Sequence, residues 1–197
     1  MELVYIDEAG INLWVRRTRG RARRGDRAVR VVGGQRGRNF TVTFAVSNRR
    51  GLVHHEIFDG GMTSVRFSAF LEATSRECHD QVTYVFDNAP CHARADHEPN
   101  NGGPQLPFNH FRQRLPPYSP FLNIVEMAIS AFKASLKRQL EEVREQILRE
   151  PQAQRLAILT QLAEQSTGVI TAAKAAAWFS HAQRYLPKCI EREHILM

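Results

Sequence analysis

The chain has 197 residues, 43% of them hydrophobic and 24% charged, which suits one domain with a sizeable core and the composition of a soluble globular protein. No apolar run approaches the roughly 18 residues needed to cross a bilayer, and no basic-then-apolar leader precedes the first strand-like segment, so no membrane partner is expected. Net charge is +7 but uneven: Arg16 to Arg38 holds ten arginines and one acid, Asp26, for +9, and the rest sums to −2. Such a cluster suits a polyanion such as nucleic acid, or a merely solvated loop. Three scattered cysteines, Cys78, Cys91 and Cys189, argue against a disulfide framework and for an intracellular, reducing location.

In chain order, "ELVYIDEAG" predicts a strand from Glu2 to Ile6 with Asp7 at its end. The arginine-rich stretch follows, broken by glycines. "NFTVTFAVS" (39–47) and "LVHHEIF" (52–58) predict a hairpin about the turn "SNRRG". Thr63 can cap a helix that runs to about Cys78, with Val65, Phe67, Phe70 and Leu71 as its apolar positions. "QVTYVF" (81–86) predicts a buried strand that ends at Asp87, "NAPCHARADH" a short helix and "EPNNGGPQLP" a loop. A long helix is expected from about Leu122 to Leu148, a further one from Pro151, and a last one over Thr171 to Leu186 beyond Gly168. This pattern predicts an α/β domain with one mixed central sheet, residues 1–148, and a helical C-terminal extension, 149–197, packed on it.

Three acids stand out. Asp7 and Asp87 each follow an apolar strand, and the carboxyl ends of sheet strands are where open α/β sheets place ligands. On the long helix, Val125, Ile129, Phe132, Leu136, Leu140, Val143 and Ile147 recur at core spacing. Glu126, Ser130, Lys133 and Lys137 make an adjacent stripe, so Glu126 can face the sheet edge one turn into the helix. Three carboxylates converging at a rim suit Mg²⁺ or Mn²⁺. Two such ions about 3.5–4 Å apart can activate an attacking oxygen and stabilise a leaving one in phosphodiester chemistry. Each acid alone also has a plain role: strand end, helix cap, helix surface.

"VYIDEAG", "VFDNAPCH" and "LPPYSPFLNIVE" resemble, in order, the three catalytic blocks of mariner-type DNA transposases and their bacterial insertion-sequence relatives, the DDE superfamily endonucleases, over roughly residues 3 to 138. The resemblance implies a ribonuclease H-like fold, two divalent ions, and Asp7, Asp87 and Glu126 as catalytic, metal-binding acids. It also implies hydrolysis of DNA at transposon ends, transfer of the freed 3′-hydroxyl to target DNA, and a homodimer, located in the cytoplasm or nucleoid if bacterial and in the nucleus if eukaryotic. Phe121, Ile124, Met127 and the pair Ala128–Ile129 depart from the family pattern, and "DHEPNNGGPQ" resembles an insert, but no acid is lost. The family usually carries an N-terminal helix-turn-helix region, whereas this sequence begins just before the first catalytic strand. An excised catalytic domain, a truncated copy and a copy adopted by a host all fit that start.

Arg16, Arg17, Arg19, Arg21, Arg23, Arg24, Lys133 and Lys137 are candidate phosphate contacts, with plain solvation as the alternative. His54-His55, Cys78-His79 and Cys91-His92 fit no common zinc spacing; His92 is expected near the second acid, with contact to DNA or a place on a helix surface as its two readings, the latter favoured. Trp178 and Phe179 read as core or interface anchors. Three readings remain: a metal-dependent strand-cleaving and strand-transferring enzyme, a non-catalytic DNA-binding or oligomerisation module that keeps the fold, and a generic ribonuclease H-like nuclease without strand transfer.

Overall fold

A computed structural model describes residues 1–13, 21–27 and 39–191. Its five strands are β1 (Glu2–Ile11), β2 (Phe40–Ser47), β3 (Gly51–Asp59), β4 (Val82–Phe86) and β5 (His110–Arg114), side by side in the order β3-β2-β1-β4-β5. The first three form an antiparallel meander, whereas β1, β4 and β5 run parallel. The helices are α1 (Ser64–Arg76), α2 (Ile124–Glu142), α3 (Arg144–Arg149), α4 (Gln152–Thr167), α5 (Ala172–Gln183) and α6 (Leu186–Ile190). None of the described helices is long and apolar enough to cross a membrane.

Strand alternation sorts the core into two faces. Tyr5, Ala9 and Ile11 of β1, with Phe44 of β2 and Val85 of β4, pack under α2, whose Ile124, Val125, Ala128, Ile129, Phe132, Leu136 and Leu140 are buried. Phe44 meets Phe132 edge-on at 4.9 Å between ring centroids. Val4, Ile6, Tyr84 and Phe86 point the other way, toward Phe67, Phe70 and Leu71 of α1. Thr63 caps α1 by accepting from the Arg66 amide, as its position predicts, but Val65 is exposed, not core.

Leu159, Ala163, Ile170, Ala175 and Ala182, from the helical segment beyond residue 148, belong to the same buried cluster as α2. Trp178 and Phe179 are partly buried against it, with the Phe179 ring 6.5 Å from that of Tyr5.

Several elements differ from expectation: β1 runs on to Ile11, and the last predicted helix is divided into α5 and α6. The long helix breaks at Val143, whose φ of −105° and ψ of 8° separate α2 from α3. β5 was not predicted: "HFRQR" carries little apolar signal because, among the described strands, it lies at the edge of the sheet beside β4.

Candidate active site

Asp7 lies inside β1, not at its end. Past Tyr5 the strand loses β4 as a neighbour but stays paired with β2, with Asp7 opposite Phe44, as far as Ile11. The parallel register explains how two acids 80 residues apart come together. Tyr5 stands beside Val85, so two residues further along each chain the same register sets Asp7 beside Asp87. Neighbouring strands run about 4.8 Å apart, and residues at equal register project from the same face. That face carries Tyr5 and Val85, and it is covered by α2.

α2 brings the third acid. Its N-cap is Asn123, and Glu126 sits in its first turn, where the unpaired amides and the helix dipole favour negative charge. Asn123 makes no side-chain cap bond. Its Nδ2 donates instead to Asp7 Oδ2 at 3.3 Å, while its Oδ1, also buried, has no hydrogen-bond partner among the described residues.

Asp7, Asp87, Glu126 and Asn123 line one cavity of about 460 Å³, which the loop Leu115–Pro120 also lines. Tyr118 in that loop is 96% exposed and holds a left-handed φ of 58°, uncommon for a residue with a side chain. Loop and cavity are tied to β4: the Leu115 amide donates to Phe86 O at 2.8 Å, and Asn88 Nδ2 to Leu115 O at 2.8 Å.

The electrostatics show how crowded the acids are. Burial pushes the Asp7 carboxyl up to about 7, aided by the charges of Glu126, Glu8 and Asp87 and opposed by the 2.7 Å bond from the Glu8 amide. A site built from carboxylates that repel one another calls for a cation. All its donors are oxygens, the set that hard divalent ions prefer over zinc or copper.

His92 lies beside the second acid, as expected, but buried and not on a helix surface. It lies on a 3-10 turn, Pro90–Asp96, and is fully buried. Its Nδ1 is 2.8 Å from Asp87 Oδ1, and its Nε2 is 3.2 Å from Glu8 Oε1. Burial opposes a charged ring, but the bond to Glu8, its charge, and then the contacts with Asp87 raise the His92 pKa above the ordinary value. Glu8, Cys91 and His92 are also the one group of mixed donors close enough to share an ion among the described residues. Burial and the Glu8 charge raise the Cys91 pKa, which disfavours the thiolate that zinc requires.

Of the candidate phosphate contacts, Arg16, Arg17 and Arg19 lie outside the described residues. Arg21, Arg23 and Arg24 are exposed, and Lys133 and Lys137 are half-buried on α2, outside the cavity lining.

Comparison with known proteins bears on the family and the fold. The model of the DDE superfamily endonucleases matches residues 2–147. No curated protein sequence matches the chain. Among solved structures, the Mos1 transposase paired-end complex with left transposon end superposes with a TM-score of 0.62 at 17% identity, covering 96% of this chain and 55% of that one. The Mos1 mariner paired end complex with Mn gives 0.59 at 17% identity, covering 96% and 55%. The corresponding complex with Mg gives 0.56 at 15%, covering 100% and 56%. The chain thus spans about half the length of these transposases, and at such identities the likeness is one of fold: a ribonuclease H-like mixed sheet with flanking helices. With the family model matched over most of its length, the chain belongs to the DDE superfamily endonucleases.

Proposed function

We propose that this chain is the catalytic core of a DNA transposase, cleaving phosphodiesters at transposon ends and transferring the freed 3′-hydroxyl to target DNA. The observation that carries the reading is the convergence of Asp7, Asp87 and Glu126, from two strands and a helix, on a single cavity. In this reading the three acids hold two Mg²⁺ or Mn²⁺ ions. Bound there, the ions would lower the pKa of the attacking water or hydroxyl and stabilise charge on the leaving oxygen. The chain's own groups set the stage. β1 and β4 hold two acids at equal register, and the first turn of α2 holds the third. Asn123 steadies Asp7 at the expense of its own helix cap. Transposon ends and target DNA are the proposed partners, held through phosphates by the arginine-rich stretch and by Lys133 and Lys137, and a homodimer is the proposed assembly.

Nicking of supercoiled plasmid with Mn²⁺ tests this reading. Asp7→Asn, Asp87→Asn and Glu126→Gln should each lower the rate by at least about a hundredfold, more than loss of an outer-shell partner costs, with DNA binding largely kept. Nicking that survives all three changes refutes the assignment. Saturable DNA binding by the unaltered chain, with no nicking under any metal, would favour the non-catalytic module.

A further inference from the structure

A histidine sealed beneath Asp87 needs a reason. The His92 ring is wholly buried, 4.0 Å from the Phe67 ring centroid and 5.6 Å from that of Phe86. An aliphatic side chain would fill such a slot without bringing polar atoms into it, and a buried imidazole is tolerated only when its nitrogens are bonded. Both have partners: Nδ1 lies 2.8 Å from Asp87 Oδ1 and is hydrogen-bonded to the Asp87 carbonyl at 3.3 Å, and Nε2 is bonded to the two Glu8 oxygens at 3.2 and 3.3 Å. The Asp87 carbonyl only accepts, so Nδ1 faces Asp87 as an N–H donor.

The two acids stand on opposite faces of the sheet. Glu8 follows the alternation of Val4 and Ile6, toward α1, whereas Asp87 follows Val85, toward α2 and the cavity. His92 therefore reaches from the α1 side, around the end of β4, to grip an acid of the other face. Its turn is held firmly. Arg112 Nη1 donates to Ala95 O at 2.6 Å, Arg114 Nη2 donates to the carbonyl of His92 itself at 3.0 Å, and Arg114 Nε pairs with Asp96 at 2.5 Å. The Ala89 amide also donates to Asp87 Oδ1, at 2.9 Å. Both grips fall on one oxygen, so Oδ2 is the oxygen left available.

We propose that His92, backed by Glu8, is a positioning residue that locks the Asp87 carboxylate through Oδ1 and leaves Oδ2 to serve the cavity. The inference rests on the reading of Asp87 as a metal ligand. Partners that orient ligands from behind are typically worth 10–100-fold in metal affinity.

Two substitutions separate the two nitrogens. The amide of His92→Asn can occupy the place of Nδ1 and keep the grip on Asp87. That of His92→Gln reaches the place of Nε2 and meets Glu8 instead. Both leave a comparable hole between Phe67 and Phe86, so both should lower the melting temperature alike. Mn²⁺ affinity, followed by the electron paramagnetic resonance of free Mn²⁺, should fall about 10–100-fold in His92→Gln and stay within about threefold of wild type in His92→Asn. Equal affinities in the two variants would overturn the proposal and leave His92 a packing residue.

A metal-free readout stands apart from the function assigned to the site and from the folding of these variants. With ¹⁵N-labelled histidine, the Nδ1–H signal of His92 should shift in Asp87→Ala, and an unmoved signal overturns the proposal. If wild type binds no Mn²⁺ while that signal still responds, the metal-site reading falls and the His92–Asp87 grip stands. If wild type binds Mn²⁺ and the two His92 variants bind it equally, the reverse holds.

Discussion

Asp7 shows at the scale of one residue what the site costs the fold. Its carboxyl, ordinarily near 3.8, is raised to about 7, first by burial and then by the neighbouring acids. A carboxyl raised in the fold destabilises as it ionises. Below its unfolded value both states hold the proton and the term vanishes. From about pH 4 to pH 7 the unfolded chain loses its proton first, so stability falls as pH rises. Above pH 7 the full cost is present, at most about 4 kcal/mol. Asp7→Asn removes this cost, and its Oδ1 can still accept from the Glu8 amide. Asn123 can turn its amide over, offering the now unpartnered Oδ1 to the new donor. Without metal, urea unfolding at pH 8 should find the variant more stable than wild type by about 1–3 kcal/mol, an advantage that shrinks toward pH 4. Mg²⁺ should stabilise wild type at pH 8 and do little for the variant. A variant no more stable at pH 8 would mean that the acids do not strain the fold.

At the scale of elements, the turn between β2 and β3 is where the sheet receives the C-terminal helices. Gly51 has a φ of +80°, and a Cβ there would lie 2.6 Å from the Thr171 carbonyl carbon and 2.7 Å from the Ala172 amide. The next amide, Leu52, donates to Ile170 O at 3.1 Å. Gly51→Ala must therefore strain the turn and push away the start of α5. Gly60, also at positive φ (+87°) but with open space around it, supplies the control. Chemical unfolding should show a loss of about 2–3 kcal/mol for Gly51→Ala and about 1 kcal/mol for Gly60→Ala; equal losses would show that the close approach costs nothing. Sequence reading reached β1 to β4 and the core stripe of α2 because apolar runs and helical spacing report burial directly. It stopped where placement depends on partners. β5 looks polar because, among the described strands, it lies at the edge of the sheet. β1 runs past Asp7 because β2 alone keeps it extended. His92 looks like a surface residue because a 3-10 turn has no helical periodicity and Phe67, far away in sequence, covers it. The acid cavity was legible for the opposite reason. Asp87 follows the end of β4 and Glu126 the start of α2, and although β1 runs on past Asp7, the parallel register of β1 and β4 sets it beside Asp87.

At the scale of the whole molecule, the boundary of the family match and the boundary of the core do not coincide. The DDE superfamily endonuclease model ends at residue 147, yet Leu159, Ala163, Ile170, Ala175 and Ala182 share one buried cluster with Phe132, Leu136 and Leu140 of α2. Polar ties follow the same line. Gln139 Nε2 donates to the buried Ser166 hydroxyl at 2.8 Å, and His55 on β3 meets Glu164 on α4 at 2.6 Å. A chain ending at residue 148 would expose one side of α2 and leave Phe132 and Leu136 short of contacts. Each buried aliphatic or aromatic side chain returned to water costs about 1.5–3 kcal/mol, and two or three of them consume most of a domain's stability. The 1–148 fragment should therefore keep much of its far-ultraviolet circular dichroism, lose its near-ultraviolet signal, bind a hydrophobic dye and melt without a cooperative transition. A fragment that melts cooperatively near the full chain's temperature would make residues 149–197 a dispensable addition. The expected collapse would make them part of the scaffold that holds α2, and with it Glu126, over the two aspartates.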